Sequence, residues 1–112
     1  MGSKMKTKSV MFRQGDVLVA AVACALPREV ERVARDAGRI VLAYGEVTGH
    51  AHAIHSSGAT LWECADGARY LEVKRAVQLL HEEHATIKVP AGLYRVVRQR
   101  EYSPEAIRFV AD

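Results

Sequence analysis

The sequence predicts a mainly β fold: one small domain built as a barrel or a sandwich, with a jelly roll as one form it could take. Apolar runs of strand length recur at roughly ten-residue spacing, with glycine, proline or Asp-Gly punctuation between them. In residues 86–89, polar side chains alternate with apolar ones, as in a half-buried strand. The chain has 112 residues, which suits one domain with one core.

The first half of the chain contains three predicted extended segments. Residues 10–12 lead into a turn at Gly15-Asp16, and residues 17–22 follow as an apolar strand. Between residues 28 and 37, apolar side chains recur at helical spacing, so a short surface helix is expected, with a charged loop as the alternative. Residues 39–54 form the clearest extended stretch, and its two internal glycines predict bulges or a sharp bend.

The second half adds hairpins and a terminal helix. Asp66-Gly67 predicts a tight turn that pairs residues 61–63 with residues 70–73. Further strands are expected over residues 76–80, 86–89 and 93–102. Ser103-Pro104 has the pattern of an N-cap followed by proline at the first helical position, which predicts a short C-terminal helix.

Domain organisation and compartment follow from composition. Residues 1–8 are expected to be disordered or added by the expression vector, and residues 9–112 to form a single β-rich domain. The longest uncharged run, residues 17–27, is shorter than the roughly 20 residues of a membrane span. The basic start lacks an apolar segment typical of a signal peptide, so a cytoplasmic protein with two free cysteines is expected.

Five histidines occur in two clusters, and these predict the functional site. Side chains two apart in a strand share a face, so His50 and His52 should project together. Imidazole is a frequent ligand of divalent transition metals, and this pair offers two of the three or four ligands a site needs. His55 should point to the opposite face.

The second cluster, residues 81–84, would complete the site. The predicted metal ligands are His50, His52, His81, His84 and Glu83, and the expected ion is Zn, Ni, Fe or Mn. Within a regular strand His81 and His84 would point to opposite faces, so only one of them would join the first pair unless a bulge intervenes. Whether such a site is catalytic is left open, because three protein ligands would suit catalysis and four would suit a structural role.

Two other functions fit the same sequence. A metal-free pair of histidines could act as general base and general acid on a phosphodiester, as in a small ribonuclease. Alternatively, a basic strand could bind RNA or DNA through Arg95, Arg98, Arg100, Tyr94 and Tyr102. The net charge of +3 and a pI near 9.1 permit nucleic acid without requiring it. Long apolar strands must also be covered or paired, which predicts a homo-oligomer.

Two family resemblances add expectations. His50-Ala51-His52, with the later segment 89–92 (VPAG), resembles the cupin pattern, a jelly roll that binds a metal; the glutamate expected soon after His52 is missing. The strings RQGDV, GEVTGHAH, HEEH and QREYSPE, which begin at residues 13, 45, 81 and 99, resemble a family of small uncharacterised bacterial and phage-associated β-barrel proteins. That likeness covers most of the chain and implies a bacterial or phage origin, with no activity to transfer.

Overall fold

The computed structural model describes residues 10–45 and 49–99 of the chain. These ranges contain strands and turns, so the predicted mainly β fold is confirmed. The strands are β1 (Met11–Gln14), β2 (Val17–Ala21), β3 (Val30–Arg32), β4 (Ile40–Tyr44), β5 (Ala51–Ile54), β6 (Ala59–Cys64), β7 (Arg69–Val73), β8 (Val77–Leu79), β9 (Ile87–Val89) and β10 (Gly92–Arg98).

Six strands form one antiparallel sheet in the order β1-β2-β10-β7-β6-β3. The apolar run predicted as a strand is β2, which lies between β1 and β10 and buries Val17 and Val19 completely. The hairpin predicted from Asp66-Gly67 is confirmed, because β6 and β7 pair with Leu61 opposite Leu71. Burial of alternate residues orients one face of this sheet toward the core.

The other four strands form two hairpins, β4–β5 and β8–β9. Ala53 and Leu80 exchange two backbone hydrogen bonds of 2.9 Å, and this pair is called the β5–β8 bridge below. The bridge sets the two hairpins side by side against the larger sheet. The core draws on all three sheets, with its largest completely buried side chains being Ile54, Leu61, Leu71, Leu79, Val17, Val19 and Val89.

Two sequence-based expectations need correction, and a third is refined. Residues 28–37 contain no helix: β3 occupies part of this range and pairs with β6, since its β-branched Val30 favours the extended pairing. The stretch 39–54, expected to be extended with bulges or a sharp bend, contains two antiparallel strands, β4 and β5, with a register irregularity between Val41 and Ala43. Over the described ranges the large sheet is open and not a closed barrel, because β1 and β3 each have one hydrogen-bonded neighbour.

Two expectations concern residues outside the described ranges. These are the disordered or vector-derived residues 1–8 and the helix expected from Ser103 onward. Within the described ranges, no helix has the length and apolar character needed to cross a membrane.

Candidate metal centre

The two histidine clusters lie on segments that the β5–β8 bridge holds together. His52 belongs to β5 and His50 directly precedes that strand, whereas His81 and His84 lie between β8 and β9. Counting outward from the bridge along two antiparallel segments places His52 opposite His81. The long-range register therefore joins clusters that are about thirty residues apart in sequence.

The same register continues one and two residues further. It places Ala51 opposite Glu82, and the Ala51 N–H donates a hydrogen bond of 2.9 Å to Oε1 of Glu82. It places His50 opposite Glu83, and Nδ1 of His50 lies 3.4 Å from Oε2 of Glu83. The two segments thus remain side by side beyond the regular ends of β5 and β8.

His81 lies at the centre of a group of four histidines. Its ring centroid lies 4.2 Å from that of His52, 4.6 Å from that of His84 and 5.8 Å from that of His50. The rings of His52 and His84 are 5.9 Å apart and nearly parallel. Four imidazoles from two distant stretches of chain therefore share one small volume, which we call the histidine cluster.

His81 and His84 do not point to opposite faces, an arrangement that was expected only of a regular strand. Residues 81–84 bend and are not part of a strand, so the two-residue alternation of side chains does not apply to them. Both rings consequently face His52. His55, at the far end of β5, is exposed.

Gln14 fixes the proton of His52. The Gln14 side chain is 2% exposed, and its Nε2 donates to the backbone oxygens of Leu79 at 2.9 Å and Ala85 at 3.0 Å. Oε1 of Gln14 is therefore the atom that faces Nδ1 of His52, at 2.8 Å. Because an amide oxygen only accepts, Nδ1 carries the proton and Nε2 of His52 keeps its lone pair.

A carboxylate stands on the Nε2 side of His52. Oδ1 of Asp16 lies 3.6 Å from this nitrogen, and Oδ2 of Asp16 accepts a hydrogen bond of 3.3 Å from Nε of Arg98. Arg98 also donates to the backbone oxygen of Tyr44. Asp16 is thus shared between the histidine cluster and an arginine of β10.

Gly15 allows the β1–β2 turn to approach the cluster closely. Its φ is +59°, and a Cβ at this position would lie 2.7 Å from Nε2 of His84 and 3.3 Å from Cε1 of His52. Contacts under 3.0 Å do not occur for ordinary side chains, so any larger residue would displace His84. Three consecutive residues, 14–16, therefore shape the cluster from one turn.

Burial keeps His52 neutral near physiological pH. Its side chain is 3% exposed, and this desolvation is the largest cause that lowers its pKa from 6.5 to about 4. Charge on His81, His84 and Arg98 lowers the pKa further, whereas Asp16 raises it. The neutral form is the one that binds metals or accepts a proton.

His81 has the opposite proton arrangement to His52. Its Nδ1 accepts a hydrogen bond of 3.0 Å from the backbone N–H of Glu83. A neutral His81 therefore carries its proton on Nε2. The central ring of the cluster is a hydrogen-bond donor at Nε2, whereas its neighbour His52 is an acceptor there.

One combination of these residues has the spacing of a metal site. Single ligand atoms of His50, His81 and Glu82 all lie within 4.8 Å of one another. The backbone N–H of Ala51 is the largest of the causes that lower the pKa of the exposed Glu82 carboxyl. Glu83, the glutamate predicted as a ligand, contacts His50 instead.

The basic strand differs from its predicted arrangement. Tyr94 is 3% exposed, packs in the core and donates a hydrogen bond of 2.6 Å to the oxygen of Pro90, so it is not free to stack on a base. Arg95 is exposed and lies over the ring of Tyr70 at 5.6 Å. Arg100 and Tyr102 lie outside the described residues.

Sequence reasoning missed the contribution of the β1–β2 turn. Residues 14–16 read only as the end of a strand and a turn, although all three face the histidine cluster. The available signal was chemical: a glutamine and an aspartate flank a glycine where a hairpin needs only the glycine and one polar residue.

Comparison with known proteins gives a family and no activity. No curated protein and no solved structure shows significant similarity to the chain. A family described as a domain of unknown function, DUF8820, matches residues 13–99, a span that includes the histidine cluster and the β1–β2 turn. The chain belongs to the DUF8820 family.

Proposed function

We propose that this protein binds one divalent transition-metal ion through His50, His81 and Glu82. The observation that carries the proposal is the spacing of their ligand atoms, all within 4.8 Å of one another. Zinc binds imidazole nitrogen and carboxylate oxygen at about 2.0–2.2 Å, so two ligands of one ion are separated by less than about 4.4 Å. Small side-chain rotations would bring the three atoms to that distance.

The environment of the histidines supports this proposal. Histidines that bind metals usually offer one ring nitrogen to the ion and hydrogen-bond through the other. Nδ1 of His50 faces the carboxylate of Glu83, and Nδ1 of His52 donates to Gln14. When Nδ1 carries the proton, Nε2 keeps its lone pair, and His52 is then available as a further ligand.

Three protein ligands would leave a coordination position for water. A bound divalent ion in such a position acts as a Lewis acid and lowers the pKa of that water. Binding through Nε2 of His81 requires the ring proton to move to Nδ1, and binding through Nδ1 uses the lone pair that now accepts from Glu83. Either mode displaces the Glu83 N–H, so metal binding should rearrange this contact.

A zinc titration of chelator-treated protein tests the proposal. The wild-type chain should bind about one ion, and His81→Gln should weaken binding by more than about 100-fold, because it removes a ligand and not merely an orienting partner. His55→Gln is the matched control, since His55 is exposed and lies at the far end of β5. Equal affinities for the two variants would contradict the site.

The opposite proton arrangements of His52 and His81 favour a second candidate, metal-free proton transfer. Nε2 of His52 is an acceptor and Nε2 of His81 a donor, and their rings are 4.2 Å apart at the centroids. Such a pair would serve as general base and general acid on a phosphodiester. In excess chelator, the wild-type chain and His55→Gln should cleave an RNA dinucleotide, whereas His52→Gln should not. Absence of any cleavage by the wild-type chain in chelator would reject this candidate.

A further inference from the structure

A cavity of about 430 Å³ lies between β4 and the large sheet. Its lining includes residues 41–44 of β4, residues 66–68 of the β6–β7 turn, Arg69 at the start of β7 and residues 95–98 of β10. Three of these residues are arginines, against a single aspartate, Asp66. The volume lies within the range of small-molecule sites, and the charge of the lining favours an anion.

Two of the arginines lie on the core-facing side of the large sheet. Arg69 lies two residues before the buried Leu71 on β7, and Arg98 lies two residues after the buried Val96 on β10, so each arginine shares the face of its buried neighbour. Their guanidinium groups reach the edge of β4: Nη1 of Arg69 donates to the oxygen of Leu42 at 3.2 Å, and Arg98 donates to that of Tyr44. Both guanidinium groups are therefore anchored to β4, and both arginines are half-buried.

These contacts use only part of the hydrogen-bonding capacity of Arg69. A guanidinium has five N–H donors, and Nε of Arg69 is buried with no partner among the described residues. Unsatisfied buried donors are costly, so a ligand that reorients this group to complete its hydrogen bonds would gain free energy. The planar guanidinium fork suits the oxygen pair of a phosphate or carboxylate.

The cavity is connected to the histidine cluster through one carboxylate. Oδ2 of Asp16 accepts from Arg98, while Oδ1 of the same residue lies 3.6 Å from Nε2 of His52. A ligand anchored at Arg98 would therefore extend toward the cluster. Arg98 thus lines the cavity and also contacts Asp16, the residue that faces His52.

We infer that this arginine-lined cavity binds the oxyanion group, phosphate or carboxylate, of a small molecule whose remaining part reaches the histidine cluster. The anchoring of the oxyanion depends on the arginines of the cavity, chiefly Arg69 and Arg98, and on no metal ion. Only the second half of the inference, the reach toward the cluster, rests on the proposed metal-binding function. The two parts can therefore fail separately.

The test is a calorimetric titration of metal-free, chelator-treated protein with inorganic phosphate and, in a parallel arm, with acetate. Phosphate or acetate should bind the wild-type chain, and Arg69→Gln should weaken that binding by about tenfold or more, because it removes charge-assisted hydrogen bonds. Arg28→Gln is the control, since it removes the same charge from a position before β3 that lies outside the cavity lining. The stronger of the two arms identifies the class of oxyanion.

A second variant separates a binding defect from misfolding. Arg69→Lys keeps the charge and loses the fork, so it should retain the fold by circular dichroism and show intermediate affinity. Zinc binding by Arg69→Gln should match that of the wild type, which separates this inference from the metal proposal. The inference would be overturned if neither anion bound the wild-type chain, or if Arg69→Gln and Arg28→Gln weakened binding equally.

Discussion

At the scale of single residues, Gln14 should affect both stability and zinc binding, although its side chain would touch neither a metal nor a substrate. It is 2% exposed and makes hydrogen bonds to two backbone oxygens and to Nδ1 of His52. These contacts orient the imidazole and determine which nitrogen carries the proton. Gln14 is therefore a positioning residue for the cluster.

Gln14→Ala should lower the free energy of unfolding by about 1–3 kcal/mol, because it leaves buried polar groups without partners. It should also weaken zinc binding by about 10–100-fold, the usual cost of losing a group that orients a ligand. Urea denaturation and zinc titration measure the two effects. Gln78→Ala, an exposed position on β8, is the control and should change neither; equal zinc affinities for the two variants would exclude the positioning role.

At the scale of elements, the β1–β2 turn and the segment between β8 and β9 must approach each other closely. Gly15 makes this approach feasible, because its backbone is left-handed and its missing side chain leaves room for His84. The turn thus has two separate demands on this position, one conformational and one steric. A matched pair of glycines allows these demands to be separated.

Gly15→Ala should destabilise the fold by roughly 1–2 kcal/mol, the cost of an alanine in the left-handed region, and its Cβ should also displace the exposed His84 side chain. Zinc binding should weaken as a result. Gly67→Ala isolates the backbone cost, since Gly67 has φ +92° and a Cβ added there would meet no atom within 4 Å. Thermal denaturation and zinc titration of both variants check this; unchanged zinc affinity in Gly15→Ala would show that the close approach has no role in the site.

At the scale of the whole molecule, the buried His52 makes stability depend on pH. Its pKa is about 4 in the folded protein and 6.5 when exposed, so the unfolded chain binds more protons between these values. The contribution is complete above pH 6.5 and is lost progressively as the pH falls toward 4. The total loss from this group is about 3 kcal/mol.

Urea denaturation of metal-free protein at several pH values between 4 and 7 measures this loss. His52→Gln should remove most of the pH dependence, because no buried imidazole then has to remain neutral. His55→Gln, at an exposed position, should retain it. Parallel pH profiles for wild type and His52→Gln would contradict the assigned cause.

Assembly also belongs to this scale, because the large sheet has two edges. β3 is short and carries Glu31 and Arg32, features that discourage edge pairing, whereas β1 exposes Met11 by 60%. We expect two copies to pair through β1. Sedimentation velocity should show dimers for the wild type and for the control Gln78→Lys, and monomers for Met11→Lys; a wild-type chain that is monomeric at high concentration would contradict the pairing.

The sequence alone determined the local parts of this protein. Asp66-Gly67 sets the β6–β7 hairpin because a three-residue loop, here residues 65–67, needs a residue in the left-handed region, and Gly67 supplies it. The apolar run at residues 17–22 becomes β2 because a central strand needs apolar side chains. The histidines were likewise identified as candidate site residues from the sequence, because their spacing along the chain is a local property.

Only the tertiary structure decided how these parts combine. The register set by the β5–β8 bridge pairs His52 with His81, and no local pattern fixes a pairing between segments so far apart. Alternation along a strand predicted that His81 and His84 diverge, but the bend after β8 turns both rings to one side. The same packing sets residues 14–16 around the cluster, because β1 and β2 must cover the hairpins to bury the core. Side-chain chemistry can thus be predicted from composition and spacing, whereas the convergence of distant side chains depends on how the sheets pack.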